Sequence, residues 1–123
     1  MSKRILIVED QEDLRAILRD FLKASGYETV EAVDGGEGVD RARADRPDLI
    51  LMDIQLPVLD GYEATRQIKA DPSLKATPVI AVSSFAMKGD EEKARASGCD
   101  GYVTKPYSPV KLLRVIRGFL DEA

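Results

Sequence analysis

The sequence predicts a doubly wound α/β fold: a five-stranded parallel sheet with five helices. Two observations carry this. Short apolar runs that end in acidic or hydroxyl residues alternate with longer stretches of helical spacing, and five such alternations follow one another in 123 residues.

Ile5-Leu6-Ile7-Val8 is a continuous apolar run of the kind buried on both faces, and predicts the first strand. Leu14, Ile17, Leu18, Phe21 and Leu22 follow at i, i+3, i+4, i+7 and i+8, which predicts a helix with those five residues facing inward. Ser25-Gly26 closes it, glycine suiting a left-handed cap. Tyr27 to Val33 is the second strand, and a helix around Glu37 to Ala44 ends before Pro47. Leu49 to Met52 forms the third strand and stops at Asp53; Gln55 to Asp60 is a loop, and Gly61 opens the third helix. Asp71-Pro72 ends that helix, and Pro78 to Val82 is a strand whose last positions are Ser83 and Ser84. The fourth helix, Met87 to Ala96, has a thin apolar face and is expected to be the least firmly held. Gly101 to Thr104 is the fifth strand. Ser108 and Pro109 cap the last helix, with Leu112, Leu113, Ile116, Phe119 and Leu120 facing inward.

The length fits one domain, 1–123, without repeats or linkers. Eighteen basic against 22 acidic side chains leave a net charge of −4, which repels nucleic acid and anionic membrane surfaces. Apolar runs such as Leu49 to Met52 fall far short of the roughly 20 residues a bilayer span needs. The single Cys99 cannot form an internal disulfide and is expected to be a small buried hydrophobe. No apolar signal region follows Met1, so a reducing cytoplasm is the expected location.

In a doubly wound sheet, active groups gather outside the carboxyl ends of the strands. Those ends carry Glu9-Asp10, Asp53, Ser83-Ser84 and Lys105-Pro106. Carboxylates held together repel, by about 4 kcal/mol per pair at ~4 Å with an effective dielectric near 20. A cation relieves this; alternatively one of the acids takes a raised pKa or turns to solvent. Hard oxygen ligands suit Mg²⁺, whereas zinc lacks its usual ligands in a chain with no histidine and one cysteine.

Glu9-Asp10, the run Met52 to Gly61 around Asp53, Ser83 and Lys105-Pro106, taken in order along the whole chain, resemble the receiver domain of two-component response regulators. That resemblance implies the flavodoxin-like strand order 2-1-3-4-5. It makes Asp53 the phosphoacceptor, with Mg²⁺ bound by Asp10, Asp53 and the backbone carbonyl of Gln55, and by Glu9 through water. Ser83 would donate to a phosphoryl oxygen, Lys105 would pair with it, and the Lys105-Pro106 peptide would be cis. Tyr102 occupies a place where the family often has a switch aromatic; a half-buried tyrosine packed on the last helix is the alternative. Asp60-Gly61 is expected to serve the helix start. Phe85, with Gln55, borders the phosphate, and its bulk would hinder the hydrolytic water and lengthen the phosphoryl lifetime. Phe85 to Glu92 and Gly98-Cys99-Asp100 further resemble the single-domain cell-cycle receivers of the DivK type, and also receivers of hybrid kinases.

A carboxylate is already ionised at neutral pH, so Asp53 can attack phosphorus without a general base. The expected donor is a phosphohistidine on a histidine kinase or phosphotransfer protein. The expected output is a regulatory protein at the fourth helix, fifth strand and fifth helix, with no direct DNA binding. An acceptor of this kind is not expected to turn over as an enzyme beyond slow autodephosphorylation. Three rivals stand beside it. A haloacid dehalogenase-type phosphatase would want an acid where Gln55 stands; the others are a receiver cut from a longer protein and a phosphorylation-independent binding module.

Overall fold

The structure, a computed structural model, describes residues 2–84 and 88–120, without the side chain of Lys88. Ten elements alternate: β1 (Arg4–Val8), α1 (Glu12–Ala24), β2 (Glu28–Ala32), α2 (Gly35–Asp45), β3 (Leu49–Asp53), α3 (Gly61–Ala70), β4 (Val79–Ser83), α4 (Lys88–Ala96), β5 (Gly101–Thr104) and α5 (Pro109–Leu120). All strand pairs are parallel, as the sequence pattern led us to expect, and lie in the order β2-β1-β3-β4-β5 that the resemblance implied. The order reverses direction between β1 and β3, so the residues following those two strands flank the topological switch point.

Strand side chains alternate between faces, and the core divides accordingly. Ile5, Ile7, Leu49, Leu51, Ile80 and Val103 pack under α1 and α5 with Leu18, Leu22, Leu112 and Ile116. Leu6, Val8, Ile50, Met52, Val79 and Ala81 pack on the other face against α2, α3 and α4. The caps at Gly26 and Asp60 act as expected, and α2 has two further ones at Asp34 and Arg46. Gly26 adopts φ +98° after α1, Asp34 and Asp60 accept the N–H groups of Glu37 and Glu63 at 2.8 and 2.9 Å, and α2 ends on the left-handed Arg46. Among the described side chains of α4 only Ala94 is buried, which matches its thin apolar pattern. Cys99 is buried as a free thiol.

Three expectations need correction. Ile17 is 61% exposed, so the apolar stripe of α1 is wider than the sheet surface it covers, and Phe119 is 38% exposed with its ring tip against Gly101 of β5. Tyr102 packs with the α2, α3 and α4 cluster, not on the last helix. Its neighbour Val103 takes the α5 side, because successive strand residues face opposite ways.

Among the described residues no helix is long and apolar enough to cross a membrane. Ile116, fully buried, and Ile17 separate the two environments of the same residue type. Ile116→Ala is expected to lower the unfolding free energy by about 2 to 5 kcal/mol, and Ile17→Ala by no more than about 0.5 kcal/mol, measured by urea denaturation.

Candidate functional site: an acidic cluster closed by one lysine

Parallel strands deliver their carboxyl ends to one edge of the sheet, and the register makes those ends level. Val8 pairs with Met52, Asp53 with Val82, and Ser83 with Thr104. Glu9 and Asp53 are each only 4% exposed, Asp10 is exposed, and one carboxylate oxygen from each of the three lies within 4.8 Å of the other two. Lys105, arriving from β5, donates its ammonium to Asp53 Oδ2 at 3.0 Å and to Glu9 Oε1 at 3.3 Å. The remaining carboxylate oxygens of that pair accept backbone donors: Gln55 N–H reaches Asp53 Oδ1 at 3.0 Å, and Gln11 N–H reaches Glu9 Oε2 at 3.1 Å.

Ser83 is fully buried at the end of β4, and its carbonyl accepts the Lys105 N–H at 2.7 Å. The Lys105-Pro106 peptide is cis, as the resemblance led us to expect. Tyr102 is half-buried on β5, and Phe85 lies outside the described residues. Glycine is required where α3 begins: a Cβ on Gly61 would lie 2.3 Å from the Asp53 carbonyl oxygen, a collision with backbone that cannot yield cheaply. The third helix therefore starts directly against the strand that carries Asp53.

The electrostatics follow from this crowding. Burial pushes the Glu9 carboxyl up to about 7, aided by the charge and hydrogen bond of Asp53 and opposed by the Gln11 N–H and Lys105. Burial lowers the Lys105 ammonium, but its hydrogen bonds and charge pairing with Asp53 and Glu9 outweigh this and leave it raised.

Residues 5–117 match the family described as response regulator receiver domain. The chain belongs to that family. Over all 123 residues, and the whole length of the relative, it is 50% identical to the polar-differentiation response regulator DivK of Brucella anthropi. Among solved structures it is similar to the receiver domain of sensor histidine kinase PA1611 from Pseudomonas aeruginosa PAO1, which has a magnesium ion coordinated in its active site cleft. That match has a TM-score of 0.92 and 35% identity, covering 99% of this chain and 100% of the other. The chemotaxis protein CheY4 of Vibrio cholerae matches with a TM-score of 0.92 and 27% identity, covering 97% and 99% of the two chains. The chain is thus a DivK-like receiver domain of a two-component response regulator, and its acidic cluster lies in a cleft at the carboxyl edge of the receiver sheet.

Three acids against one ammonium leave up to two negative charges in excess, and every donor is a hard oxygen. That set fits a divalent ion of the Mg²⁺ type, with exposed Asp10 offering the open approach.

Two interactions that shape the receiver site carry no sequence signal. Arg15 reaches back from α1, donating Nη1 to the Glu9 carbonyl at 2.9 Å and Nε to Glu31 at 3.0 Å, and so fixes the turn that carries Glu9 and Asp10. The Gln55 side-chain oxygen accepts the Ser84 N–H at 3.2 Å and joins the loops after β3 and β4 across the site. Both pairings depend on rotamers and on elements brought together only by folding.

A carboxyl whose folded pKa is raised binds more protons folded than unfolded between about 4.5 and 7, so it stabilises most below that window. In chelator-treated, metal-free buffer, stability measured by urea unfolding is expected to fall as pH rises through that range. Glu9→Gln should flatten the slope.

Proposed function

We propose that this receiver takes a phosphoryl group onto Asp53 from a phosphohistidine of a histidine kinase or phosphotransfer protein. The observation that carries the reading is the Asp53 carboxylate, buried at the end of β3 and 3.0 Å from Lys105, in reach of Glu9 and Asp10. A carboxylate oxygen of Asp53 forms the new bond to phosphorus as the P–N bond of the donor breaks. The electron pair stays on the ring, which leaves as neutral imidazole with a proton from solvent. No general base is required, which agrees with a chain that has no histidine.

Asp10, Asp53 and the Gln55 carbonyl would hold Mg²⁺, and Glu9 would reach it through water. Bound there, Mg²⁺ supplies charge neutralisation to the phosphoryl oxygens. Lys105 then exchanges part of its pairing with Asp53 for the phosphoryl group, and the Ser83 hydroxyl donates to another oxygen. Phosphorylation adds close to two negative charges, so the loop after β4 is drawn toward Asp53 and Tyr102 responds on β5. The altered surface is α4, β5 and α5, where a downstream regulatory protein reads it; among the described side chains of α4 only Ala94 is buried, which leaves little to hold that helix. Gln55 and Phe85 are the residues that the family resemblance assigns to setting the phosphoryl lifetime, with autodephosphorylation slow.

Incubation with acetyl phosphate and Mg²⁺ should add the mass of one phosphoryl group to the wild type and none to Asp53→Asn, read by intact-mass spectrometry. Modification of Asp53→Asn to the same extent, or no modification of the wild type, would defeat the reading. Hydrogen exchange in α4, β5 and α5 should change on phosphorylation, whereas protection in β1 and β2 stays the same.

A further inference from the structure

Tyr62 and Lys93 form a pair that none of the roles above uses. Tyr62 is the second residue of α3 and is 7% exposed; its hydroxyl is buried with no hydrogen-bond partner among the described residues. The polar tip of this tyrosine therefore does nothing that would explain its place. Its ring does: the ammonium of Lys93, on α4, stands over the ring at 4.7 Å from the centroid, well inside the range in which the negative face of an aromatic ring attracts a cation.

That placement has a direction. Lys93 and Tyr62 line an open cleft together with Asp10, Gln55 and Asp60, so the ammonium stands in the same cleft as the exposed carboxylate of the acidic cluster. Lys105 lines a different groove, and its charge is already turned inward onto two buried carboxylates. In the Asp10 cleft, Lys93 is the cation among the described lining residues, set against two acids. An incoming phosphoryl donor is a dianion, and this cleft adjoins the acceptor, since an Asp10 carboxylate oxygen lies within 4.8 Å of one on Asp53; Lys93 is the charge there that offsets the repulsion of the acids.

We propose that Lys93, held on the face of Tyr62, is a positioning residue for the phosphoryl donor: it draws the anionic phosphoryl group into the Asp10 cleft and over Asp53. The inference rests on Asp53 being the acceptor. Tyr62 fixes a side chain that would otherwise sample many rotamers, so less order is lost when the anion arrives. A single exposed charge acting on a dianion is screened by salt, and its effect on the rate is of the order of threefold to tenfold at low ionic strength.

The test compares wild type, Lys93→Met and Lys93→Arg in time courses with acetyl phosphate at saturating Mg²⁺, followed by intact mass. Methionine keeps an apolar stem on the Tyr62 ring and removes the charge; arginine keeps both. The expected result is that Lys93→Met is phosphorylated about threefold to tenfold more slowly at low salt, and that Lys93→Arg remains near wild type. The difference should close near 1 M salt, where the screening length falls to about 3 Å. Hydrolytic decay after donor removal should be unchanged, because water carries no charge for Lys93 to attract. A wild-type rate for Lys93→Met at low salt would overturn the proposal, as would a slowed rate indifferent to salt and unrescued by arginine, the mark of a merely structural tie between α3 and α4. If wild type itself gains no phosphoryl group, the acceptor reading fails and this inference with it.

Discussion

Two buried carboxylates facing one ammonium set the terms for the carboxyl edge of this sheet. Glu9 and Asp53 are each 4% exposed, and as bare anions a few ångströms apart they would repel by roughly 3 to 4 kcal/mol at an effective dielectric near 20. Lys105 touches both, at 3.3 and 3.0 Å, and backbone N–H groups of Gln11 and Gln55 occupy the other two oxygens. Even so burial, and after it the charge of Asp53, pushes the Glu9 carboxyl up to about 7. The folded protein thus holds an unrelieved demand for positive charge in an otherwise well-satisfied site.

The topology makes that arrangement possible without any local sequence cluster. Glu9, Asp53 and Lys105 are separated by 44 and 52 residues, and they meet because the crossovers return every strand parallel to the last, with its carboxyl end at the same edge. The switch point between β1 and β3 leaves a gap that no crossover helix fills, with Glu9-Asp10 on one side and Asp53 on the other. Gly61 tightens the same edge: α3 begins so near the Asp53 carbonyl that a methyl group has no room, and Tyr62 is set into the wall of the cleft as a consequence.

Much of this was legible in the sequence, and what was not has a physical explanation. Strand ends are readable because an apolar run must stop where the sheet stops, and the residues that end the strands or follow them, Asp53 and Ser83, Glu9 and Lys105, are therefore readable too. Helix faces are readable only as stripes. The periodicity that includes Ile17 and Phe119 says nothing about how far the sheet extends beneath them, and both emerge exposed. The side of the sheet that Tyr102 faces followed from strand alternation, not from the helix nearest in sequence. Arg15 on the Glu9 carbonyl, Gln55 on Ser84, and Lys93 over Tyr62 are contacts between side chains and distant elements, set by rotamers, and no spacing rule announces them.

The two lysines at the site illustrate why position within the fold matters more than residue type. Lys105 is drawn inward, is largely desolvated and is matched to two acids, so its charge is consumed in making the buried pair tolerable. Lys93 stays at the solvent boundary and is held by an aromatic face that does not neutralise it, which leaves its field directed into the cleft. A chain of net charge −4 needs some such division if an anion is to approach three carboxylates. Lys105 holds the acids together until a phosphoryl group takes over part of its pairing, whereas Lys93 faces the cleft from the start; the two charges thus serve successive stages of the same approach.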